Sequence, residues 1–326
     1  MKLLLTGASG KVGQNFLPEF LSSDRFREWS VVALCNNRMI SGGERVEVVQ
    51  GSIADPAAVA SAMSGVTHVL HMAAVKESPD LAMDVSVKGM FVLLEEFRLQ
   101  KTASQFVLIS GDCAVGHAFQ PYEGPVTETS ERKAYPGCYA LTKVLEEVML
   151  EQYRHQYGLN GCVLRAPWIM EKDDFRFALS FGPDQFGGPL WTELLPEEDL
   201  RTYADGNHVP LLKDRDGHPL KRNFVHVDDL VSAILAALDA PEAAGQLFNI
   251  SMNEPVDYGC AAHHLVETRS LKIAEIPTSM HSNWLDNTKA RLLLGWSPSV
   301  DLKALIERAW NYRRDEKDPR MIWYPG

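Results

Sequence analysis

Tyr139 and Lys143 stand four residues apart in the segment YALTK at 139–143. On a helix this spacing puts both side chains on one face. A tyrosine phenol ionises only at about pH 10 in water. A neighbouring ammonium stabilises the phenolate and makes it a usable base toward a substrate hydroxyl. Near the start of the chain, Thr6-Gly7-Ala8-Ser9-Gly10-Lys11-Val12-Gly13 spaces its glycines at i, i+3 and i+6. Such a turn brings backbone close to a pyrophosphate, and a helix beginning there aims its N–H groups and positive dipole end at the anion. Each signal alone is common, the first as a chance helical spacing, the second as a tight strand-to-helix turn. Together they point to a nicotinamide dinucleotide site with an acid/base pair beside it.

These residues need a scaffold, and the alternation of short apolar runs with helical patterns supplies one. Strands are predicted at residues 2–6, 31–34, 45–50, 67–71, 105–110 and 161–165, with helices at 12–21, 56–63, 84–100 and 139–157. Asp55 is the expected N-cap of the second helix and Gly158 the stop of the fourth. Pro18 falls inside the first helix. This order predicts an α/β fold, a parallel sheet with helices on both faces. The pattern breaks over 171–221, which is expected to be irregular; its aromatics Phe175, Phe177, Phe181, Phe186 and Trp191 suit a cover over a substrate or a surface insertion. Regular structure resumes with a strand at 224–227, a helix through Leu238, a strand at 247–250 and helices near 259–268 and 301–312. In the helix carrying Tyr139, the apolar stripe Val144, Leu145, Val148 and Met149 is expected to face the core.

Composition narrows the partners. The 326 residues carry a net charge of −11, which disfavours nucleic acid and anionic membrane. Cys35, Cys113, Cys138, Cys162 and Cys260 are scattered, with no C-x-x-C pair, and the adjacent His263 and His264 have no second ligand set, so no metal site is expected. No signal peptide is recognised before the strand at Lys2, and no apolar run reaches about 18 residues, so a cytoplasmic protein is expected.

The adenosine end of the cofactor site is less defined. After the second strand, where a carboxylate would bind a ribose 2′-hydroxyl, the chain has Cys35-Asn36-Asn37-Arg38. Arg38 beside a neutral pocket suits a 2′-phosphate and tips the reading marginally toward NADP; with Arg38 solvated, Asn36 or Asn37 holds the ribose of NAD. Ser52 and Ile53 are placed to flank adenine. Met72, Ala73 and Ala74 lie where backbone passes the cofactor.

The blocks TGASGKVG at 6–13, HMAA at 71–74, SVKG at 86–89, YALTK at 139–143, LRAP at 164–167, RNFVHVDD at 222–229, FNIS at 248–251 and DNTKARLLLGW at 286–296 span nearly the whole chain. In them the chain resembles the extended short-chain dehydrogenase/reductase family, also called NAD-dependent epimerase/dehydratase. The resemblance implies a Rossmann-type doubly wound parallel sheet with a smaller C-terminal substrate-binding lobe. Residues 1–170 plus 222–252 would form the first part, and 171–221 plus 253–326 the second. It implies that Tyr139 exchanges a proton with a sugar hydroxyl or carbonyl. Lys143 would lower the pKa of that phenol and hold the nicotinamide ribose, with Pro167 beside the cofactor. It also implies Arg222 near a nucleotide-sugar diphosphate and a homodimer formed through the helices here. For Arg222 the alternative is a surface salt bridge with Asp228 or Asp229. Arg165 is expected to end a strand and His226 to bond within the fold.

The chain departs from the family in two places. A serine or threonine after the fifth strand normally donates to the reacting oxygen, but alignment on Gly116 puts Gly111 there. Either Ser110 serves after a shift of the loop, or Asp112 takes the polar role as a general acid; Asp112 as a loop carboxylate capping N–H groups is the alternative. Trp168 replaces a polar residue common in nucleotide-sugar enzymes, which admits free sugars or sugar acids. Two functions follow: an NAD(P)-dependent epimerase, dehydratase or dehydrogenase acting on a sugar or sugar nucleotide, or an NADP-binding regulator without turnover. A phenolic or terpenoid carbonyl is a lesser option for the enzyme.

Overall fold

The computed structural model describes residues 1–320 apart from 183, 184, 186 and 188, so the expectation for Phe186 lies outside the described residues. Its strands are β1 (Lys2–Thr6), β2 (Ser30–Cys35), β3 (Val46–Gln50), β4 (His68–His71), β5 (Gln105–Gly111), β6 (Gly161–Ala166), β7 (Trp168–Met170), β8 (His208–Lys213), β9 (Lys221–Arg222), β10 (Phe224–His226), β11 (Leu247–Asn249), β12 (Val256–Asp257) and β13 (Lys272–Pro277). Seven of them form a sheet in the order β11-β6-β5-β4-β1-β2-β3, every pair parallel. This is the doubly wound Rossmann arrangement expected from the sequence. The order reverses between β1 and β4, and the crevice outside the carboxyl ends of those strands is where such folds bind ligands.

The apolar runs of the strands bury both faces of the sheet. On one side Phe16 and Phe20 of the helix Lys11–Ser22 pack with Leu230 and Ile234 of the helix Val227–Ala237. On the other, Val59 of Pro56–Met63, Leu93 and Phe97 of Lys88–Leu99, and Leu150 of Cys138–Tyr157 cover the strands. Asp55 caps its helix by accepting from the Ala57 amide, and Gly158 ends the long helix at φ 66°, both as expected. The helix expected over 84–100 begins instead with a π-helical stretch, Ala82–Val87.

The segment 171–221 is more regular than its composition suggested. It holds the short helices Asp174–Ala178, Trp191–Leu194 and Glu197–Tyr203, and it contributes β8 and β9. β8 pairs in parallel with β13, from His208 beside Lys272 to Lys213 beside Pro277. A further apolar cluster joins Phe175, Trp191, Leu211, Phe224, Tyr258, Leu265 and Ile306. Each helical piece is shorter than two turns, so its sequence carries no resolvable 3.6-residue period. Among the described residues no helix is long and apolar enough to cross a membrane.

Candidate active site

The phosphate cradle connects β1 to the helix Lys11–Ser22. Gly7 has φ +75°, a left-handed conformation, and a Cβ there would lie 2.8 Å from the Ala73 amide nitrogen. At Gly13 a Cβ would lie 2.5 Å from the carbonyl oxygens of Gly7 and Ala8. Glycine is therefore required at both places. Gly10 is the N-cap and supplies no side-chain cap, and no acidic residue stands in the first turn. The first-turn N–H groups thus suit an anion that approaches along the backbone of Ser9 and Val12. Lys11 does something the sequence did not indicate. Its ammonium is buried against Asp174 at 2.5 Å and donates to the Ile169 carbonyl at 3.0 Å, tying the cradle to the segment beyond β7.

Strand register sets the remaining candidates along the same edge. Thr6 lies beside Leu34 and beside His71, His71 beside Leu108, and Gly111 beside Ala166. Asn36, Asn37 and Arg38 therefore follow the end of β2, where all three are exposed. Ser52 and Ile53 follow β3, Met72, Ala73 and Ala74 follow β4, and Pro167 follows β6 in a buried position. The Thr6 hydroxyl oxygen receives the amides of Met72 and Ala73, which fixes the β4 loop against the cradle.

Tyr139 sits at the head of the helix Cys138–Tyr157 with Lys143 one turn further on. The Lys143 ammonium is 3% exposed; it donates to the Ile109 carbonyl at 3.0 Å and pairs with Glu146 at 2.8 Å. It lies 5.9 Å from the centroid of the Tyr139 ring. A second ammonium, that of Lys76, lies closer, at 3.8 Å. The neighbouring Glu77 accepts from the amides of Cys138 and Tyr139, capping this helix. Lys76 and Glu77 were not singled out from the sequence; their place just after HMAA is the signal that was there to read.

At the end of β5 and in the loop after it, both candidate residues have partners within the protein. The Ser110 hydroxyl donates to Glu147 at 2.6 Å, inside a buried group where Arg165 and Arg132 also bind that carboxylate. Burial pushes the Glu147 carboxyl up, but Arg165, Ser110 and Arg132 outweigh it and hold the group below its ordinary value. Asp112 bonds to His117 Nδ1 at 2.6 Å, and His117 Nε2 meets the Arg222 guanidinium at 2.8 Å. Because arginine only donates, Nε2 is the acceptor and Nδ1 carries the proton toward Asp112.

Arg222 is 6% exposed, stacks 4.6 Å over Trp168 and donates to the Tyr258 hydroxyl. The carboxylates offered as its alternative partners are engaged elsewhere. Asp228 pairs with Arg308, and Asp229 receives the Ser299 amide and hydroxyl and the Val300 amide. Trp168 also stacks on Phe224 at 5.3 Å. Arg165 lies inside β6, and His226 accepts the Asp228 amide as a helix N-cap.

The burial of the Tyr139 helix reverses the expectation from its apolar stripe. Val144, Leu145, Val148 and Met149 are only half-buried, whereas Lys143, Glu146 and Glu147 are buried. Glu146 has no exposed surface, and burial pushes its carboxyl up against the opposing pull of Lys143. Among the described residues no group of three or more His, Cys, Asp or Glu is arranged to hold a metal ion.

Comparison with known proteins agrees with this geometry. The model of the NAD dependent epimerase/dehydratase family matches residues 3–171. The chain is similar to the UDP-glucose 4-epimerase of Mycolicibacterium smegmatis, 27% identical over 97% of this chain and 99% of that one. Among solved structures it resembles a short-chain dehydrogenase/reductase superfamily protein from Agrobacterium tumefaciens with bound NAD, with a TM-score of 0.77, 23% identity and coverage of 95% and 96% of the two chains. It also resembles the UDP-glucuronic acid 4-epimerase of Bacillus cereus in complex with NAD, with a TM-score of 0.72, 20% identity and coverage of 96% and 98%.

Proposed function

Because the chain belongs to the NAD-dependent epimerase/dehydratase family, we propose that it oxidises and re-reduces a carbon of a nucleotide sugar, as an epimerase or dehydratase, with NAD as cofactor and Tyr139 as acid/base. The observation that carries this reading is the placement of Tyr139 and Lys143 at the head of one helix, beside the end of β5 at the carboxyl edge of the sheet. Relatives named as UDP-glucose and UDP-glucuronic acid epimerases support the substrate class. NAD in both named structures, with Arg38 exposed, gives no support to the NADP preference.

The residues fit the cofactor: Gly7 and Gly13 let the turn pack backbone against backbone, on the β4 loop and on residues 7–8, and the helix that follows has no acidic residue in its first turn to repel a pyrophosphate. When bound, NAD supplies the hydride acceptor. The chain does the rest. The first-turn amides of residues 11–13 hold the pyrophosphate; the Gly10 amide is spent on the Gly7 carbonyl within the turn. Lys143 has three N–H donors, and Ile109 and Glu146 take two, leaving one for a ribose hydroxyl. Tyr139 takes the proton of the sugar hydroxyl and returns it on reduction. Residues 171–221 and 253–326 form the substrate lobe, and 1–170 with 222–252 the dinucleotide-binding domain. A homodimer through the half-buried stripe of Cys138–Tyr157, and a cytoplasmic location, complete the reading.

The test is to measure bound NAD in the purified protein and turnover of UDP-glucose and UDP-glucuronic acid. Tyr139→Phe should lower kcat by about 10²- to 10⁴-fold. Turnover that survives this change sinks the assignment. A regulator without turnover is the second reading, favoured by Gly111; reversible cofactor binding with no turnover of either sugar would support it.

A further inference from the structure

The loop after β5 leaves the reacting oxygen without its usual side-chain donor. Gly111 has no side chain, the Ser110 hydroxyl donates to Glu147, and Asp112 is bonded to His117. A different loop brings an ammonium against the Tyr139 ring. Lys76, after β4, holds its ammonium 3.8 Å from the centroid of the Tyr139 ring, whereas the Lys143 ammonium is 5.9 Å away and paired with Glu146. The position of Lys76 is fixed by its neighbour. Glu77 accepts the amides of Cys138 at 3.0 Å and Tyr139 at 3.4 Å, so the loop bearing Lys76 is pinned to the helix bearing Tyr139. A Cβ at Gly137 would come within 2.8 Å of that carboxylate, so the chain before the helix also leaves room for the contact.

The geometry points to Lys76 as a second catalytic cation, whose ammonium donates a hydrogen bond to the sugar oxygen that Tyr139 deprotonates and stabilises the Tyr139 phenolate, in the role that a hydroxyl at position 111 would otherwise fill. This rests on Tyr139 being the acid/base. Lys76 neither gains nor loses a proton in the step. The proton of the sugar hydroxyl passes to Tyr139, the hydride of its carbon to the cofactor, and the resulting carbonyl accepts from the ammonium.

The surroundings suit that task. Removal from water is the largest influence on the Lys76 amine and lowers it to about 8; Lys143 reinforces this, while Cys113, Glu77 and Asp112 oppose it. The amine is thus mainly protonated at neutral pH and able to donate, and it loses its charge a little above. An ammonium so close to an aromatic face, with little water between, acts on the phenolate through a low local dielectric.

The experiment compares the holoprotein with Lys76→Met and Lys76→Arg. Tyr139 ionisation is followed by tyrosinate absorbance, each protein read against its own Tyr139→Phe counterpart; this needs no substrate. Lys76→Met should raise the Tyr139 pKa by about one unit or more, and Lys76→Arg should hold it near the parental value. With UDP-glucose or UDP-glucuronic acid, Lys76→Met should lower kcat by about 10²- to 10³-fold with little change in KM, as for loss of a single oxyanion donor. Adding Gly111→Ser to Lys76→Met should recover part of the loss. A Lys76→Met protein whose Tyr139 titrates as in the parent, or which keeps the parental kcat, overturns the inference. Turnover that survives Tyr139→Phe overturns the underlying assignment instead, and the titration tells the two failures apart.

Discussion

Lys143 and Glu146 form an ion pair at 2.8 Å in which the lysine is 3% exposed and the glutamate not at all. Two charges held together out of water stabilise little in net terms, but each becomes costly without the other. The lysine expected to serve the cofactor is thereby held by its own helix, one turn beyond Tyr139.

Glu146→Ala should therefore destabilise the protein by about 3–5 kcal/mol, because Lys143 is left buried without a counter-charge. Glu146→Gln, which keeps an acceptor, should cost less. Urea denaturation of the two variants checks the ranking; equal stability of Glu146→Ala and the parent would contradict the pair's importance.

The Lys11–Asp174 pair makes a similar case between distant segments. Lys11→Met leaves Asp174 buried and unpaired and should cost about 3–5 kcal/mol. The double variant Lys11→Met, Asp174→Leu should recover most of that loss. A double-mutant cycle in denaturant reads the coupling, and strictly additive losses would show that the two residues act independently.

Acid should weaken the fold through His71. Burial, reinforced by Lys143, lowers this histidine from 6.5 to about 3. The unfolded chain takes up the proton below about pH 6.5, whereas the folded protein does so only near 3. The stability carried by neutral His71 is thus complete above pH 6.5 and lost as pH falls toward 3, by at most about 1.4 kcal/mol per unit. His71→Asn should flatten the dependence between pH 6.5 and 5, measured as denaturation midpoints; an unchanged slope would place the acid sensitivity elsewhere.

The half-buried stripe of the Tyr139 helix continues onto the preceding helix, where Phe91 is 49% exposed, and ends at Tyr157, 51% exposed. If two copies pair through it, Val148→Glu should convert dimer to monomer in sedimentation velocity, because a charge at an apolar interface is left without a partner. A parent protein that sediments as a monomer rules this pairing out.

Much of this arrangement was readable from local pattern. The cradle glycines, the strands with their apolar runs, the Asp55 cap, the Gly158 stop and the i, i+4 pair at Tyr139 and Lys143 are set by residues near one another in the chain, so spacing alone carries the signal. The sequence also determined that position 111 lacks a hydroxyl and that the chain matches the epimerase/dehydratase pattern.

Tertiary structure alone decided which charges are buried and whom they meet. Glu146 and Glu147 look like a solvated helix face, yet they are buried because Lys143, Arg165 and Arg132 answer them, while the apolar stripe beside them stays half-exposed. Ser110 meets Glu147, Asp112 meets His117, Lys11 meets Asp174, and Lys76 reaches Tyr139 from another loop. Hydrophobic periodicity records which face can leave water cheaply; it does not record the opposite charge, on the same helix for Glu146 and 163 residues away for Lys11, that lets a polar group leave water too.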